Sequence, residues 1–135
     1  MISLLADVNI QGHVDRLVDR MQSNYWREFW DYLALRYISF SDLGLVREDT
    51  DAVIWKRCQE RNAVLVTNNR NDDGPDSLES TIRTFTTAES LPVFTIGDAD
   101  RVLSDSEYAD QVVDRLFRHL LDIDNIRGTG RQYIP

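Results

Sequence analysis

Val64-Leu-Val-Thr-Asn-Asn-Arg-Asn-Asp-Asp-Gly74 reads as a strand that runs out into oxygen ligands: an apolar run breaks at Thr67, and nearly every following side chain carries an oxygen. An α/β protein holds a hard cation at such a place, where a rigid strand fixes one ligand and the loop beyond it brings others. Ile2-Ser-Leu-Leu-Ala-Asp-Val-Asn9 repeats the arrangement, a short apolar run closing on Asp7 and Asn9. Strand ends that carry acids and amides predict a metal site on the sheet edge.

Outward from these stretches, strand and helix patterns alternate. Residues 2–6, 37–40, 63–67 and 92–96 are short, apolar and partly β-branched, as strands are. Between them Val14, Leu17, Val18 and Met21 recur at helical spacing, as do Trp26, Phe29, Trp30 and Leu33 in an aromatic segment over 25–35. Thr50 is a suitable N-cap for a helix over 52–60, and Asp76 or Ser77 for a short one ending at Phe85 with Leu78 and Ile82 on one face. Tyr108, Val112, Leu116 and Leu120 form the apolar ladder of a long last helix. The alternation predicts a three-layer α/β/α fold around a mainly parallel, four-stranded sheet with right-handed crossovers.

At 135 residues the chain is expected to be a single domain, 1–135, with residues 122–135 as a candidate extended arm. No apolar run approaches the roughly 20 residues of a membrane span, and the N-terminus lacks the basic flank of a signal peptide, so a cytoplasmic protein without a membrane partner is expected. The single Cys58 has no cysteine partner and reads as core packing. A net charge of −8 excludes the grip on long duplex DNA that works by counterion release from a basic face. It leaves open a metal-dependent nuclease, whose carboxylates are neutralised when the cation binds. Basic residues are Arg apart from Lys56, which suits planar recognition of phosphate.

Three acidic clusters are expected to converge on the carboxyl edge of the sheet: Asp7 after the first strand, Asp49 and Asp51 at a helix start, and Asp72 and Asp73 after the third strand. Crowded carboxylates repel, and a divalent cation relieves this; Mg²⁺ and Mn²⁺ need only two or three of them plus an amide oxygen. Asp7 is the strongest candidate, since a carboxylate ending a buried strand is costly unless paired. Asp49 reads better as helix-start charge, and Asn68, Asn69 and Asn71 are ligands or plain turn formers. Arg70 suits a scissile phosphate or an acidic neighbour equally, and Arg127-Gly-Thr-Gly-Arg131 suits an interaction arm or a phosphate. There is no Gly-x-Ser-x-Gly elbow and no Walker A lysine, and His13 and His119 are too few for a zinc site. The aromatics of 25–35 read as core or interface, and that segment or the last helix is the expected homodimer surface.

Leu5-Ala-Asp-Val-Asn-Ile10, Asp49-Thr-Asp-Ala-Val-Ile54 and Val64-Leu-Val-Thr-Asn-Asn-Arg-Asn71 together resemble a divergent PIN-like nuclease domain, of the compact bacterial branch often seen in toxin–antitoxin settings. The resemblance runs from the N-terminus to about Pro92. It implies a Mg²⁺- or Mn²⁺-dependent ribonuclease (a hydrolase) acting on single-stranded RNA, with an antitoxin-like protein as partner. Asp7 then matches the first metal-binding acid and Asp51 the helix-borne acid, with Asp72 or Asp73 completing the set and Asn9, Asn69 and Arg70 orienting ligands and phosphate. Val8 stands where an acid is frequent, and Asn69 and Asn71 where the family pattern has Asp. These departures motivate a second expectation, a PIN-like fold that has lost its chemistry and serves as a binding or regulatory module.

Overall fold

A computed structural model describes residues 1–70 and 74–135. Five strands, β1 (Ser3–Ala6), β2 (Arg36–Ile38), β3 (Ala63–Thr67), β4 (Val93–Ile96) and β5 (Arg131–Ile134), form one sheet in the order β2-β1-β3-β4-β5. Every pair in it is parallel. The α/β class and the parallel sheet are as the alternation predicts, but the described residues form five strands rather than four.

The fifth strand escapes sequence reading for a physical reason. It is an edge strand with only Ile134 buried, so Arg131-Gln-Tyr-Ile134 shows no apolar run. Where an arm was expected, its last residues pair in register with β4, Val93 opposite Arg131 and Ile96 opposite Ile134. Gly130 makes the entry possible: its φ is +82°, and a Cβ there would stand 2.9 Å from Ile82 Cγ2.

The helices are α1 (Gln11–Met21), α2 (Arg27–Tyr32), α3 (Asp51–Glu60), α4 (Leu78–Phe85), α5 (Ala99–Ser104) and α6 (Ser106–Leu121). Thr50 caps α3, its hydroxyl accepting from Val53 N at 3.3 Å, and Ser77 rather than Asp76 caps α4, accepting from Ser80 N at 3.2 Å. Helix α5 is only six residues long and was not anticipated. The aromatic segment yields only the short α2. Trp30 is buried and Trp26 stacks on Phe117 at 5.6 Å, while Tyr25 and Tyr32 are exposed.

Strand alternation divides the core in two. Leu4, Ala6, Val64, Val66, Phe94 and Ile96 face a cluster completed by α1, α5 and α6. Leu5, Ala63, Leu65 and Val93 face the opposite cluster, with Ile54, Trp55 and Cys58 of α3 and Leu78 and Ile82 of α4. β3 is buried along its whole length, as expected of a central parallel strand covered on both faces. Cys58 belongs to this packing; burial pushes its thiol up to about 12, far from the thiolate a reactive cysteine needs. No helix among the described residues is long and apolar enough to cross a membrane.

Chain direction across the sheet reverses between β1 and β3, since β1 is followed by β2 on one side and β3 leads to β4 on the other. The carboxyl ends of β1 and β3 therefore flank the crevice in which doubly wound sheets bind ligands.

Candidate active site at the carboxyl edge

Asp7 follows β1 at this crevice. Its backbone N–H extends the ladder to Val66 O at 2.9 Å, which fixes where the side chain starts. The carboxylate is buried, 9% exposed, so it needs partners. Thr67, at the end of β3 and fully buried, donates its hydroxyl to Asp7 Oδ2 at 2.7 Å. On the other oxygen, the backbone N–H of Asn9 approaches Oδ1 at 3.5 Å as Asp7 caps the 3-10 turn Val8–Ile10.

Thr67 links Asp7 to the next strand end. Its hydroxyl accepts from Asn69 N at 2.9 Å while donating to Asp7, so it is oriented from both sides. Asn69 Nδ2 then donates to Asp51 Oδ2 at 3.1 Å, and the same oxygen accepts from Leu78 N at 3.1 Å. Asp51 opens α3, where the helix dipole favours its charge. Even so its carboxyl lies above the usual carboxylate range, first through burial and then through the negative charge of Asp7; the bonds from Asn69 and Leu78 pull it down only in part. The two carboxylates thus share one electrostatic site.

A buried guanidinium underlies this arrangement. Arg131, 7% exposed, donates through Nη1 to the Asn69 carbonyl at 2.9 Å and to Thr95 Oγ1 at 2.6 Å. Through Nε and Nη2 it reaches Glu79 Oε2, at 3.1 and 2.6 Å.

Of the expected site residues, the fold brings Asp7, Asp51 and Asn69 together. Asn9 reaches Asp7 through its backbone, and its side chain is exposed, as is that of Arg70. Asn71, Asp72 and Asp73 lie outside the described residues. Asp49 precedes the N-cap Thr50 and is turned to its own loop, accepting from Val46 N at 2.8 Å. His13 pairs with Asp100 at 3.2 Å. Thr67, Glu79 and Thr95 were not singled out as site residues, and Arg131, read only as part of an arm or a phosphate-binding segment, is instead enclosed against Glu79. Thr67 stands in the strand-end motif itself and was legible there; the other three meet only through the fold.

Beside Asp51 an open depression of about 490 Å³ is lined by Asp49, Thr50, Gly74, Pro75, Asp76 and Ser77. A larger cavity of about 700 Å³ is lined by other residues, among them Arg20, Tyr25, Trp26 and Asp110. Volume and chemistry therefore point to different places, and Asp51 is the better guide, because its carboxyl is raised by burial and by the neighbouring charge of Asp7.

Asp7 and Asp51 carboxylates, the Thr67 hydroxyl and the Asn69 amide are hard oxygen groups, the donor set Mg²⁺ and Mn²⁺ prefer. The raised carboxyl of Asp51 is what a nearby cation would reverse. No cluster of three or more His, Cys, Asp or Glu with metal-site geometry occurs among the described residues. Comparison with family models, curated proteins and solved structures finds no match to this chain.

Proposed function

We propose that this chain is a three-layer PIN-like domain acting as a Mg²⁺- or Mn²⁺-dependent ribonuclease on single-stranded RNA. The observation that carries the reading is that separate elements deliver Asp7 and Asp51 to one crevice, joined through Thr67 and Asn69, where burial first and the charge of Asp7 second raise the carboxyl of Asp51. Asp7 and Asp51 hold the cation, with a further carboxylate from Asp72 or Asp73. A bound cation supplies charge neutralisation and Lewis acidity toward a phosphoryl oxygen. Thr67 keeps Asp7 in one rotamer, Asn69 does the same for Asp51, and exposed Arg70 offers a guanidinium to the phosphate backbone. The net charge of −8 favours a short single-stranded segment over an extended duplex.

Thermal unfolding with and without Mn²⁺ tests the site. Saturation at about 100 times the dissociation constant stabilises by roughly 2.7 kcal/mol in the wild type, and Asp7→Ala is expected to lose that gain. An Mn²⁺ response retained in the variant contradicts the assignment.

A second reading is favoured by one specific observation: Asn69 donates an amide N–H to Asp51, giving the carboxylate a partner without a metal. On this reading the domain is a binding or regulatory module. Its signature is a wild-type melting temperature that Mn²⁺ leaves unchanged.

A further inference from the structure

Arg131 is charged, yet almost wholly enclosed. A guanidinium in that position is costly unless hydrogen-bond acceptors surround it, and here they do. Those acceptors do not build β5, whose register is set by its backbone ladder with β4. Two of them belong to the segments that hold Asp51. Asn69 offers its carbonyl to Arg131 and its side-chain N–H to Asp51. Glu79 takes Nε and Nη2 of Arg131, and the neighbouring Leu78 N–H bonds the same Asp51 oxygen. A closed circuit results, from Arg131 through Asn69 to Asp51 and back through Leu78 and Glu79.

We propose that Arg131 is a positioning residue for the site: it clamps the end of β3 to the start of α4 and so sets Asp51 against Asp7, making the last strand part of the metal centre. Its planar fork addresses a carbonyl, a hydroxyl and a carboxylate at once; a lysine ammonium, a point charge on a flexible stem, does not span all three. The effect on metal binding rests on the nuclease reading. The effect on the Asn69 and Leu78 amides does not.

Native-state hydrogen exchange tests it. In Arg131→Lys the amides of Asn69 and Leu78, bonded to Thr67 Oγ1 and Asp51 Oδ2, are expected to exchange about tenfold faster, while the amides of Phe94 and Thr95 in β4 hold their protection. Mn²⁺ affinity measured by calorimetry falls by roughly tenfold in the same variant. Unchanged exchange at Asn69 and Leu78, or equal loss along β4 and β5, overturns the proposal, the latter by showing a merely structural role. Should Arg131→Lys not fold, Glu79→Ala decides, since it removes the acceptor and breaks the circuit at a more exposed partner. Faster exchange at Asn69 and Leu78 is again expected, and none overturns the proposal. A wild type that binds no Mn²⁺ contradicts the nuclease reading, and the exchange pattern still decides on Arg131.

Discussion

Thr67 shows how a single hydroxyl serves the site. Thr67→Val keeps the shape but leaves the Asp7 carboxylate without its buried donor and Asn69 N–H without its acceptor. A charge-assisted bond of this kind is worth about 2 kcal/mol, so the melting temperature should fall by roughly 6–10 °C. An unchanged value in calorimetry would mean the hydroxyl does not bridge the two. Asp51 behaves in the opposite sense. Its carboxyl is raised in the fold, by burial and by Asp7, so the folded state binds a proton that the unfolded chain has already released. Stability from this group is complete below the ordinary carboxyl value of 3.8 and is lost as pH rises through the raised folded value. Asp51→Asn, which keeps an acceptor for Leu78 and Asn69, is therefore expected to raise the melting temperature at pH 7 without metal and to leave it unchanged at pH 3. Thermal unfolding at the two pH values checks this; a loss at pH 7 would show that the charge stabilises the fold. Asp7 and Asp51 were legible in the sequence because one ends a strand and the other begins a capped helix. Arg131 was not, since its partners Glu79, Asn69 and Thr95 lie 36 to 62 residues away.

Among the elements, those with strong patterns were readable and those held by context were not. β3 is apolar throughout and α6 repeats its apolar positions over sixteen residues, so both follow from periodicity. β5 and α5 are short and show no clear apolar periodicity, and they exist because neighbouring strands and helices complete them. The turn into β5 carries a measurable cost. Gly130→Ala puts a Cβ into a left-handed backbone and against Ile82, which is expected to destabilise by about 2–3 kcal/mol. Gly12, inside α1 with nothing within 4 Å of a built Cβ, is its control: Gly12→Ala should stabilise by about 0.5–1 kcal/mol. Denaturant midpoints measure both. Equal responses would mean that β5 is not docked through this turn.

At the scale of the molecule, a parallel sheet brings residues 7, 51 and 69 to one edge although they are far apart in the chain. Alternating strand and helix patterns were enough to foresee that edge, because strand order must reverse somewhere and ligands bind where it does. They were not enough to foresee the clamp beneath it, which depends on a strand that the polar C-terminal sequence conceals. Metal-dependent RNA cleavage at Asp7 and Asp51 is the proposed activity of this edge. The most direct measurement is cleavage of a mixed single-stranded RNA pool, with and without Mn²⁺, by the wild type and by Asp7→Asn in parallel. Cleavage by the wild type only in the presence of Mn²⁺, and none by Asp7→Asn, is the expected result. No cleavage by either protein, or equal cleavage by both, would contradict it.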